Sequence, residues 1–217
     1  MLTKEIVMFK QFLIASTICV MPLMAACSSG TDVNASEVTV AALTEKLPNL
    51  TGDHVWNVDR SQSKLQFRAE HNGDKFTGNF GTFDSVVKLN LDDPSGGEIH
   101  AVIDLASIDA KDDDRNANLP SKAWFDMKSY PLATYSATEI TGSRADGYVA
   151  NGMLSIKGIE RPVQLRFTVD ENDGTAKASG TANFMRQEFN LGTGSDFETE
   201  EWVKFPIEVL VSVSAKR

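Results

Sequence analysis

From Val203 to Val213 the chain reads VKFPIEVLVSV, with Val203, Phe205, Ile207, Val209, Val211 and Val213 on one parity and Lys204, Glu208 and Ser212 on the other. Successive side chains of a β-strand point to opposite faces, so this period of two predicts a strand with one buried and one wetter face. The same alternation places Ile99, Ala101, Ile103 and Leu105 against Glu98, His100 and Asp104, and Val163, Leu165, Phe167 and Val169 against Gln164, Arg166 and Thr168. From Val55 onward such runs recur roughly every 10 residues, the spacing of an antiparallel sandwich or barrel. Between them stand Asn72-Gly73, Asp93-Pro94-Ser95-Gly96-Gly97, Asp146-Gly147 and Asp173-Gly174, several of them dipeptides that suit the positive φ of tight hairpins. The fold class is all-β, and the last and longest run is expected to close the sheet.

The stretch NGMLSIKGIERPVQLRF, residues 151–167, resolves under the same rule. Leu154 and Ile156 belong to one strand and Val163, Leu165 and Phe167 to the next, with Gly158 at the turn and Pro162 where the second strand begins. Lys157, Glu160 and Arg161 then read as solvated charges at a hairpin tip rather than a catalytic cluster. One segment breaks the β pattern: DDDRNANLPSKAWFDM, residues 112–127. Its acidic start suits a helix N-terminus and Ser121 could cap a second turn, which predicts one or two short helices. Leu119, Trp124 and Phe125 would pack them across the barrel or its end.

The N-terminus has a separate logic. Lys4 and Lys10 precede the apolar run Phe12 to Met24, and small residues follow, so residues 1–26 read as a signal peptide, with Met1 or Met8 as its start. The apolar run is shorter than the roughly 18 to 20 residues that a membrane-spanning helix needs. Met24-Ala25-Ala26-Cys27 resembles a bacterial lipobox, which implies acylation of Cys27 and attachment to a membrane through it. Ser28, rather than Asp, after the cysteine implies a periplasm-facing lipoprotein of the outer membrane. Cys19 would leave with the signal, so Cys27 has no disulfide partner. Residues 28–52 are small and polar, and residues 27–52 are expected to form the acylated terminus and a flexible tether holding at most a short helix. The formal charge is −9, and loss of Lys4, Glu5 and Lys10 makes it more negative, which argues against nucleic acid as a partner.

Catalytic and metal-binding patterns fail on spacing. His54, His71 and His100 lie scattered without ligand intervals. Asp112, Asp114 and Asn116 begin like a calcium loop, but Ala117 stands where glycine is needed and Ala123 where glutamate is needed. Gly192-Thr193-Gly194-Ser195 lacks the features of a dinucleotide loop, a P-loop and a nucleophile elbow. The expectation is a protein that is not an enzyme and needs no metal or cofactor.

Several motifs together resemble the YceI-like family of bacterial lipid- and polyisoprenoid-binding proteins. They are Trp56-Asn57-Val58-Asp59, Ser63-Lys64-Leu65-Gln66-Phe67 with His71, Gly78-Asn79-Phe80 with Phe83, and Arg115-Asn116-Ala117-Asn118-Leu119. Trp124-Phe125-Asp126, Tyr130-Pro131, the run Gly152 to Ile159, and Arg186 with Phe189 to Gly192 continue the match. Asn116, where the family usually has Asp, and Asn190, where it usually has Gly, depart from the pattern. The resemblance covers about residues 53–217 and implies an extended, lipocalin-like eight-stranded antiparallel barrel with a short helical insert, holding an isoprenoid or other amphiphilic lipid inside. Self-association as a homodimer is a further expectation.

Residues Phe67, Phe76, Phe80, Phe83, Phe125, Tyr135, Phe167, Phe184, Phe189, Phe197 and Phe205 are spread over most of the strands. Inward apolar positions serve a solid core and a lipid pocket alike, so periodicity leaves both open. The solid core would make the chain an envelope interaction module that binds protein partners; the resemblance favours the pocket. Its expected lining is Phe67, Phe76, Phe80, Phe83, Ile103, Trp124, Phe125, Tyr135, Leu154, Phe167, Phe184, Phe205 and Ile207. Trp124 and Phe125 would either gate the barrel mouth or plug it.

Overall fold

The computed structural model describes residues 40–217; the expected leader, Cys27 and the first part of the tether lie outside the described residues. The elements are α1 (Val40–Thr44), β1 (Val55–His71), β2 (Asp74–Phe80), β3 (Phe83–Lys88), β4 (Glu98–Asp104), β5 (Ile108–Asp109), α2 (Asp113–Asn118), β6 (Leu132–Ser143), β7 (Gly147–Ile156), β8 (Ile159–Asn172), β9 (Thr175–Met185) and β10 (Pro206–Lys216). They make an eight-stranded closed antiparallel barrel. Two of its staves are interrupted: β2 and β3 form one, broken at Gly81-Thr82, and β4 and β5 form another, broken by the 3-10 turn Leu105–Ser107.

Closure comes from the run with the longest alternation. β10 pairs with β9 along its full length and also with β1, in the register Val58↔Ala215 and Leu65↔Val211, across a bulge between Asp59 and Lys64. Three hairpins turn on two consecutive positive-φ residues: Asn72 and Gly73 (54° and 82°), Lys157 and Gly158 (54° and 73°), and Asp173 and Gly174 (49° and 73°). That is the mirror-image turn whose twist matches the strands it joins.

Two local expectations differ. The turn in residues 151–167 is only Lys157-Gly158, and Pro162 lies inside β8 opposite Met153 instead of at its start. In the insert, α2 is capped as its acidic start suggests: the Asp112 carboxylate accepts the Arg115 N–H at 2.9 Å. Ser121 caps no second helix; its backbone carbonyl accepts the N–H groups of Trp124 (3.0 Å) and Asp126 (2.8 Å) in an irregular turn.

The chain is docked from Val40, before the expected end of the tether. Leu43 is fully buried, the Thr44 hydroxyl donates to Asp84 Oδ2 at 2.6 Å, and Arg60 bonds the same oxygen at 2.8 Å. α1 packs against β3 and β4, where Val102, on the outward parity, is 2 % exposed.

Candidate functional site: the barrel lumen

The barrel is hollow. A cavity of about 360 Å³ lies inside it, within the range of small-molecule pockets. Residue size explains the space: β9 turns Ala176, Ala178, Gly180 and Ala182 inward before Phe184, and Ala101 and Ala133 do the same on β4 and β6. Beside them in the sheet, β10 and β1 turn in the larger Val209, Val211, Val213, Leu65 and Phe67. Two aromatic rings are laid against glycines in the wall. A Cβ at Gly78 would fall 2.3 Å from the Phe67 ring, and one at Gly152 would fall 2.4 Å from that of Tyr135. The Tyr135 hydroxyl is in reach of the carbonyls of Ala150 (3.0 Å) and Val163 (3.2 Å), and burial pushes its pKa up to about 12.

Phe67, Phe76, Phe80, Phe83, Ile103, Trp124, Phe125, Tyr135, Leu154, Phe167, Phe184 and Ile207 all line this cavity. Phe205 does not. It precedes β10, its N–H donates to Glu200 Oε1 (3.0 Å) instead of joining a ladder, and its ring lies 5.0 Å from the Arg186 guanidinium. Its carbonyl still accepts the Arg186 backbone N–H at 2.9 Å, and Val203, of the same parity, does line the cavity. Phe189 is fully buried and meets Phe184 edge-on at 5.1 Å. The alternation in TAKASGTANF, residues 175–184, is the sequence signal for the hollow wall; aromatic content does not carry it.

One end of the lumen is shut. Trp56 is 4 % exposed and Leu89 and Leu91 are 2 % exposed. The Trp56 indole N–H donates to the Leu89 carbonyl at 2.9 Å, and the Tyr148 hydroxyl donates to that of Leu91 at 2.6 Å. These bonds hold the β3–β4 connection across the barrel end, and the Arg217 guanidinium sits 4.3 Å from the Trp56 ring.

The other end carries the polar lining residues His71, Asp114, Arg115, Asn118 and Arg186. Arg115 lies over the Phe76 ring at 4.0 Å and its Nε donates to the Ala110 carbonyl at 3.1 Å. Trp124 and Phe197 meet edge-on at 5.1 Å. Arg186, 1 % exposed, organises the rim: its guanidinium donates to the carbonyls of Leu191 (2.8 Å), Phe197 (2.8 Å), Val203 (2.9 Å), Gly192 (3.2 Å) and Lys204 (3.2 Å). Burial lowers its pKa from the ordinary value, yet a guanidinium stays charged.

Lys157 is more than a solvated tip charge. Its ammonium donates to the carbonyls of Lys122 (2.7 Å) and Asn190 (3.0 Å), tying the insert to the turn after β9, and burial lowers its pKa. Glu160 and Arg161 are exposed in β8. The histidines stay apart: His71 is at the mouth, His100 bonds Glu98 (3.3 Å) and Ser136 (2.9 Å), and His54 lies before β1. Among the described residues no group of three or more His, Cys, Asp or Glu side chains converges as a metal site would.

The sequence pattern of the YceI-like domain matches residues 56–215. The chain belongs to the YceI-like family. A UPF0312 protein of Yersinia enterocolitica is 29 % identical over 160 residues, covering 70 % of this chain and 80 % of the relative. Among solved structures, Burkholderia cenocepacia BcnA superposes with a TM-score of 0.70 at 29 % identity, over 74 % of this chain and all of BcnA. A polyisoprenoid-binding domain from Saccharophagus degradans shares the fold, with a TM-score of 0.55 at 15 % identity over 75 % of this chain and 98 % of that domain. This YceI-like barrel thus combines a closed floor, an apolar shaft and a polar rim.

Proposed function

We propose that the protein binds an isoprenoid or other amphiphilic lipid noncovalently in the lumen, and stores or carries it in the bacterial cell envelope. The observation that carries this reading is the distribution of polarity: the charged lining residues sit at the open end, and the shaft below them is apolar except for the hydroxyls of Ser85 and Tyr135. Burial of hydrocarbon contributes ~0.8 kcal/mol per CH₂-sized group, so a long chain is held without any charged contact, and the rim has only to accommodate a head group. The polyisoprenoid-binding relative in the same fold supports the ligand class. The protein acts as a binder rather than a catalyst, anchored through acylated Cys27 and facing the periplasm from the outer membrane.

Organic extraction of protein purified from its native envelope, followed by mass spectrometry, is expected to release a prenylated or long-chain lipid. A ligand-free barrel that takes up no added isoprenoid overturns the proposal. Under the rival reading, a protein-binding module with a solid core, Trp124→Ala only destabilises; under lipid binding it changes uptake in a folded protein. Metabolic labelling with a palmitate analogue, compared with Cys27→Ala, tests the anchor, and light scattering on the same sample reads any homodimer.

A further inference from the structure

We infer that Trp56 is a specificity-determining residue that limits how long a chain the lumen accepts; this rests on the lipid-binding reading above. A tube open at both ends would let a long chain thread through, and affinity would not register its length. This one has a floor. Trp56 enters the barrel from the start of β1, paired with Val87 of β3, and its indole N–H is bonded to the Leu89 carbonyl. Leu89 is in turn held by its own N–H to the His54 carbonyl at 2.9 Å. Leu91 is fixed by Tyr148, and the connection continues to Gly97, where a Cβ would come within 3.0 Å of Ile140 and 3.1 Å of Leu89.

Outside the floor, Arg217 covers the indole and its N–H donates to the Gly174 carbonyl at 3.1 Å. Trp56, Leu89 and Leu91 also line the cavity, so the groups that close the end are the ones a chain terminus would meet. The lining of β10 runs from Ile207 to Ala215. At ~3.3 Å per residue and a tilt of roughly 40°, that is a shaft about 20 Å deep. A longer chain must stop at Trp56 and leave its remainder at the rim.

The test is a binding series with geraniol, farnesol, geranylgeraniol and a long polyprenol, measured by displacement of a fluorescent fatty-acid probe. For the unmodified protein, affinity is expected to rise about tenfold or more with each added isoprene unit until the shaft is full, then to level off. Trp56→Ala is expected to move the levelling point to the next longer alcohol. Leu91→Ala, a smaller change in the same floor, does the same and serves if Trp56→Ala fails to fold. Phe197→Ala, at the mouth, leaves the levelling point in place. Levelling at the same alcohol in a folded floor variant and the unmodified protein, or no levelling through the polyprenol, overturns the ruler while leaving lipid binding intact. No binding at any length overturns both.

Discussion

The two ends of the barrel are closed by different kinds of interaction. At the floor, Trp56, Leu89, Leu91, Ile140, Tyr148 and Phe167 form one buried apolar cluster, stitched by side-chain bonds to the carbonyls of Leu89 and Leu91. Toward the rim, a second cluster including Phe125, Phe189 and Leu191 is accompanied by cations on backbone carbonyls: Arg186 on residues 191–204 and Lys157 on Lys122 of the insert and on Asn190. Opening the floor means separating packed hydrocarbon. Opening the rim means separating packed hydrocarbon and also freeing Arg186 and Lys157 from the carbonyls they hold. The difference is chemical: neutral donors stitch the floor, and cations stitch the rim.

The strongest way to break this contrast is Arg186→Met. It leaves several buried carbonyls without a donor and should cost about 3–5 kcal/mol in urea unfolding, with hydrogen exchange accelerated in residues 186–205 before the floor responds. Uniform acceleration at both ends would show that the rim is no separate unit. Next, Gly78→Val drives the Phe67 ring off the wall and crowds the Asp109 carbonyl, 2.7 Å from the new Cβ. The expected cost is about 1–3 kcal/mol, with a fall in isoprenoid uptake because the ring can move only into the lumen. At the floor, Tyr148→Phe removes one buried bond at constant packing and should cost about 1 kcal/mol, measured by thermal unfolding, with uptake unchanged.

The smallest effect is one of pH. Bonds from Lys111 and Asn116 hold the Asp109 carboxyl below its ordinary 3.8, at about 2. Because its folded pKa is depressed, its contribution is fully present above about pH 3.8 and is lost as pH falls through about 2. Carboxyl titration by NMR should find that value, and Asp109→Asn should remove the corresponding slope from the acid limb of the stability curve.

Much of this architecture is legible in the sequence. The Val203–Val213 alternation foretells the strand that closes the barrel, and the Asn72-Gly73 and Asp173-Gly174 pairs foretell their hairpins, because strand faces and turn dihedrals are set by neighbouring residues. The lumen is less legible. Whether inward side chains meet or leave a gap depends on which strands face each other, and only register brings Gly78 beneath Phe67 or sets the small residues of β9 against the valines of β10. Phe205 shows the limit of parity, since its phase fits the strand while its N–H turns to Glu200 and its ring lies against Arg186. Arg186 and Lys157 carry no sequence signal of their role: their partners are carbonyls, which every residue possesses and no motif marks.

That choice of partner bears on the surroundings in which the rim must stay intact. An arginine latched to aspartate or glutamate would let go once acid protonated its acceptor. The acceptors around Arg186 are amide oxygens, which bind no proton at any pH a bacterium meets. The Arg186 latch is therefore held by acceptors that acidity does not touch.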